Sequence, residues 1–120
     1  MKEATYIIVM ITCSSKREAL KIKKVLLEKR RVACINVIPA VHSFFWWKGK
    51  IDSAHEVLLL AKTKKKEFGR IVTVVKKIHK YEVPEIIALP IIDGDMAYLK
   101  WIEKTVGRAN KLGGINAQRN

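Results

Sequence analysis

Residues 4–13, ATYIIVMITC, are β-branched, aromatic and apolar with no polar alternation. Such a run predicts a strand covered on both faces. Ser14 and Ser15 follow, and Glu18 stands three residues beyond Ser15, the spacing of a capping box. From Lys16 to Arg30 the residues Ala19, Ile22 and Leu26 recur at helical spacing, widened by Leu20 and Leu27. The other positions there are mainly Lys, Arg and Glu, so an amphipathic helix with a positive outer face is expected.

Residues 32–48, VACINVIPAVHSFFWWK, form a long β-rich run broken by Pro39, which predicts a bulge, bend or edge. Gly49 opens a turn region reaching about Ser53, and EVLLLAKT at 56–63 is the next strand. Together they predict a long hairpin with Trp47, Lys48, Gly49 and Lys50 at its tip. Across it, His42 and His55 come within reach of each other, as a solvent-exposed pair. In residues 65–79, Phe68, Ile71, Val72, Val75 and Ile78 make the clearest helical stripe of the chain. Pro84 keeps Val83 out of the helical region, so 81–85 is a connector. Ile86–Ile92 is a fourth strand, and Asp95 caps a last helix over 96–106 with Tyr98, Leu99, Ile102 and Val106 facing inward.

The order β-α-β-β-α-β plus a C-terminal helix predicts an α+β, ferredoxin-like fold: a four-stranded antiparallel sheet with two helices on one face. The second face is also apolar, and a contiguous apolar patch of that kind predicts an oligomer. Residues 1–106 are expected to form a single domain, and 107–120, with Gly107, Gly113 and Gly114 and no aromatic residue, a flexible polar tail.

The chain has 120 residues, 49% of them hydrophobic, which suits one globular domain and not a disordered basic protein. Its apolar runs are too short for a membrane span, and the N-terminus lacks a cleavage-site pattern, so a cytoplasmic location is expected. The 24 Lys and Arg against 11 Asp and Glu give a net charge of +13, which suits either a polyanion partner or a solvated surface. The positions choose the second. Lys16, Arg17, Lys21, Lys23, Lys24, Lys29, Arg30 and Arg31 lie on or just after the first helix, and Lys64–Lys66, Lys76 and Lys77 on or beside the second. The charge coats the helical layer, and nucleic acid is not the expected partner.

Two cysteines, Cys13 and Cys34, stand without a CxxC or HxH pattern, so no closed zinc site is written locally. Cys34 is expected to be buried, and Cys13, at a strand end, more exposed. No Gly-x-Ser-x-Gly, P-loop or Gly-x-Gly-x-x-Gly string occurs, and the acidic residues are scattered. The inventory points away from an enzyme.

Four strings, ACINVIPAVHSFFWWKGKI at 33–51, EVLLLAKT at 56–63, HKYEVPEIIALPI at 79–91 and YLKWI at 98–102, together resemble the CutA divalent-cation-tolerance family over about residues 5–106. The resemblance implies a ferredoxin-like subunit shaped like the PII signalling proteins, assembled as a homotrimer by strand pairing between subunits. It also implies tolerance of divalent metals, copper binding and no catalytic reaction. One of Trp46 and Trp47 would then face the core and the other a subunit interface.

The family string His-Pro-Tyr-x-x-Pro-Glu reads here His79-Lys80-Tyr81-Glu82-Val83-Pro84-Glu85, with Lys80 in place of the first proline. A thiol near the end of the first strand belongs to the copper site of some members, and the positions here are Thr12 and Cys13. The resemblance thus implies Cys13, His79 and Glu85 as metal ligands, a thiolate, imidazole and carboxylate set that copper accepts. Structural roles stand beside these: a helix C-terminal cation for His79, an ion pair for Glu85, packing under the connector for Tyr81. The alternative function is a PII-like module that takes an anionic metabolite or a protein partner at intersubunit clefts, near Thr12, Lys62, Tyr81 and Glu85.

Overall fold

The first strand, β1 (Tyr6–Cys13), alternates in burial although its sequence does not alternate in polarity. In a computed structural model describing residues 4–107, Ile7, Val9, Ile11 and Cys13 point into the core, and Tyr6, Ile8 and Met10 point to the opposite face. The expected tail, beyond Gly107, lies outside the described residues. The remaining elements are α1 (Lys16–Glu28), β2 (Cys34–Trp47), β3 (Lys50–Lys64), α2 (Phe68–Ile78), β4 (Ile86–Pro90) and α3 (Met96–Thr105). A single 3₁₀ turn, Lys65–Glu67, leads into α2. The strands form one antiparallel sheet in the order β2-β3-β1-β4, the expected ferredoxin-like arrangement.

The core lies between that sheet and the α1/α2 layer. Ala19, Ile22 and Leu26 of α1 and Ile71 and Val75 of α2 meet Val57, Leu59 and Ala61 of β3. Ser15 caps α1, its Oγ accepting the Glu18 N–H at 3.1 Å. The reciprocal bond shifts one residue from the expected capping box: Glu18 Oε1 accepts from Ser14 N at 2.8 Å, not from Ser15.

α3 lies against the second face at the Tyr6 end, where Ile102 and Val106 pack with Ala33, Tyr6, Tyr98, Leu99 and Trp101. Lys64 Nζ secures it through Glu103 Oε2 at 3.0 Å. The buried Glu67 joins Arg31 at 3.3 Å and Arg70 at 3.4 Å. The rest of the second face is open, with Ile87 47% and Leu89 44% exposed.

Between Ile38 and Val41 the pairing with β3 slips by one residue, the bulge expected at Pro39. The slip exchanges which β2 side chains face which side. Beyond it the strands run on as a two-stranded arm, longer than expected because Lys50–Ser53 continue β3 opposite Phe44–Trp47. Only Lys48 and Gly49 turn the chain, with φ of 52° and 79°. On this arm Trp46 is 72% and Trp47 43% exposed, so in the single chain neither takes the expected core position.

Candidate metal centre and adjoining cleft

Three elements meet at one end of the sheet: the end of β1, the first turn of α1 and the C-terminus of α2. They bring together Cys13, Glu18 and His79, whose donor atoms all lie within 4.8 Å of one another. Cys13 is 0% exposed, against the exposed position expected from its place at a strand end. It keeps the parity of Ile7, Val9 and Ile11, and α1 roofs the end of the strand. Burial pushes its thiol up to about 12, with the Glu18 and Glu56 carboxylates adding to the shift.

His79 caps the C-terminus of α2, its backbone N–H bonded to Val75 O at 2.8 Å. Both ring nitrogens have backbone partners. A carbonyl oxygen only accepts, so the 2.6 Å contact with Thr12 O requires a proton on Nε2. Nδ1 accepts the Tyr81 N–H at 3.1 Å, and one neutral tautomer satisfies both contacts. Nε2 also lies 3.5 Å from Glu18 Oε1.

Glu18 was not among the expected ligands, although the capping spacing was the signal that could have found it. A carboxylate at the N-terminus of α1 stands beside the end of β1. Its Oε2 accepts the Lys80 N–H at 2.7 Å. The lysine that replaces proline in the family string thereby supplies a backbone donor that proline lacks.

Glu85 is exposed and stands apart from this trio. It lines a cleft of about 930 Å³ on the opposite side of β1, toward which Thr12 points because it alternates with Cys13. Phe45, Trp47, Glu56 and Tyr81 also line it. The Tyr81 hydroxyl is pushed above its usual range by burial first, then by the Glu56 charge and a hydrogen bond to it. Asp52, Glu56, Glu82 and Glu85 set four carboxylates against the single ammonium of Lys80 in this lining.

Lys62 does not reach the cleft. It pairs with Ile8 and Cys34, six residues along β3 from Glu56, about 20 Å at strand rise. Of the residues named from the sequence, the fold therefore joins Cys13 with His79, and Tyr81 with Glu85, in two separate places.

The family described as CutA1 divalent ion tolerance protein matches residues 7–105. The divalent-cation tolerance protein CutA of Thermus thermophilus is 41% identical over 100 residues, covering 83% of this chain and 97% of that one. A CutA homolog of Danio rerio is 40% identical over 99 residues, but this chain spans only 66% of its length. Among solved structures, the protein described as the periplasmic divalent cation tolerance protein CutA of Archaeoglobus fulgidus has a TM-score of 0.81 at 41% identity, covering 83% of this chain and 97% of that one. CutA1 of Shewanella sp. SIB1 reaches 0.85 at 33% identity, covering 89% and 100%. On the matched span and these likenesses, the chain belongs to the CutA1 divalent ion tolerance family.

Proposed function

We propose that the protein is a non-catalytic homotrimer that binds a divalent metal ion, copper, in the cytoplasm. The observation that carries the metal reading is the convergence of the Cys13, Glu18 and His79 donors within 4.8 Å. Thiolate and imidazole suit copper, and the carboxylate adds a harder donor. Glu85, implied by the family resemblance, is not within this trio in one chain. Exposed Ile87 and Leu89 beside the sheet edge support assembly. Two free thiols suit a reducing compartment.

Loading this site exchanges a proton for the ion. The Cys13 thiol, held up near 12, must give up its proton. For Nε2 of His79 to coordinate, its proton must shift to Nδ1, which gives up the contacts with Thr12 O and the Tyr81 N–H, so the proton released on binding comes from Cys13. Binding is therefore expected to release a proton and to weaken as pH falls. An anionic metabolite has less behind it, because the cleft lining is acidic and Lys62 is remote.

Copper titration calorimetry in two buffers of different ionisation enthalpy tests the proposal. The wild type is expected to bind with proton release, and Cys13→Ser and His79→Ala to lose at least tenfold in affinity. Because His79→Ala removes a buried ring, Cys13→Ser, nearly isosteric, is the decisive variant. Unchanged copper affinity and unchanged proton release in folded Cys13→Ser would overturn the reading.

A further inference from the structure

His42 and His55 take no part in the buried trio or in the acidic cleft. They stand directly opposite each other on the two strands of the arm. Both side chains are exposed, and their rings are stacked with centroids 4.1 Å apart and planes 16° from parallel. Phe44, two residues along the same strand face, abuts His42 at a centroid distance of 4.3 Å. Neither imidazole makes a hydrogen bond to protein among the described residues.

We infer that His42 and His55 form a second divalent-metal site, a cross-strand pair of imidazoles that chelates a borderline transition-metal ion such as Cu²⁺, Ni²⁺ or Zn²⁺. Two nitrogens each about 2.0–2.1 Å from one ion lie about 3 Å apart at ordinary coordination angles. The rings, stacked at 4.1 Å, must swing out of the stack about their side-chain torsions so that one in-plane nitrogen lone pair of each turns toward a shared ion, and both exposed side chains are free to do so. The backbone is fixed beforehand, because a two-residue turn and continuous pairing hold the two positions in register. Little ordering entropy is then lost on binding, which is what preorganisation contributes to affinity.

The contrast with His79 is chemical. Metal at His79 displaces a proton shared with Thr12 O and opposes the Tyr81 N–H, whereas metal at the arm breaks no protein hydrogen bond. The remaining coordination positions open to water. Imidazole donors favour copper over nickel and zinc, and leave magnesium and calcium, which prefer oxygen, unbound.

The pair acts within one chain and does not depend on the buried trio, so copper titration of Cys13→Ser separates the two. This variant is expected to bind one Cu²⁺ per chain at the arm, with nitrogen hyperfine splitting in its electron paramagnetic resonance spectrum from two imidazoles. Adding His42→Ala or His55→Ala is expected to weaken that binding at least tenfold, and each alone nearly as much as both, since a chelate needs both arms. Both positions are exposed, so these variants keep the fold, which circular dichroism checks. If Cys13→Ser removes every bound ion, or His42→Ala/His55→Ala leaves its copper affinity and spectrum unchanged, the arm site is overturned. If instead the double histidine variant in the wild-type chain loses every ion, the arm site stands and the buried trio fails.

Discussion

Burial and nearby charge act in the same direction on Cys13. Desolvation contributes most, and the Glu18 and Glu56 carboxylates add repulsion against a thiolate, moving ionisation from 9.0 to about 12. The thiolate is the nucleophile, so without metal this sulfur is chemically quiet. Iodoacetamide at pH 8 is expected to label the half-buried Cys34 and to leave Cys13 unmodified until denaturant is added, as read by peptide mass mapping. Equal labelling rates would show the thiol to be accessible. The same shift sets a pH dependence. Below pH 9 both folded and unfolded chains keep the proton, and this group leaves stability unchanged. Between about 9 and 12 only the unfolded chain loses it, so stability falls as pH rises, by about 1.4 kcal/mol per unit from this one group. Urea midpoints across pH 8–11 are expected to fall more steeply in wild type than in Cys13→Ala, and parallel curves would contradict the assignment.

At the scale of elements, the arm depends on its turn. Lys48 and Gly49 both have positive φ, as a two-residue turn between right-twisted strands requires. A Cβ on Gly49 meets nothing within 4 Å, so the cost of a side chain there is conformational and not steric crowding. Gly49→Ala is expected to lower stability by about 1 kcal/mol, and Lys48→Asn to raise it by about 0.3–0.5 kcal/mol, since asparagine enters the left-handed region more readily. Urea unfolding of the two variants beside wild type checks the signs. Pro39 announced the bulge, and the helical stripes announced α1 and α2. The start of β3 was harder to read because both faces of the arm meet solvent, and Asp52 and Ser53 resemble turn residues there. The trio was half legible. The family resemblance named Cys13 and His79, but only the way α1 roofs β1 shows why Cys13 is buried and why a capping glutamate becomes a third donor.

The whole molecule divides its surface by chemistry. Lysines and arginines coat the α1/α2 layer, while the second sheet face is covered by α3 at the Tyr6 end, carries the acidic cleft at the Thr12 end and is largely apolar between them. Ile87 and Leu89 remain exposed on β4, Ile38 on β2, and these two strands are the edges of the sheet. An edge with unpaired backbone groups beside an apolar face invites pairing with another copy of the chain. The sequence could announce the face but not its cover, because assembly depends on how the face of one copy matches the edge of another. Light scattering coupled to size exclusion is expected to return three times the 13.7 kDa of one chain. Leu89→Lys places an ammonium in that surface, where burying it against another copy costs several kcal/mol, and in the monomer it stays in water. This variant is therefore expected to shift toward the mass of one chain while keeping its circular dichroism spectrum. A wild type that elutes as a monomer would remove the trimer from the proposed function, and a Leu89→Lys protein that stays trimeric would move the interface away from β4.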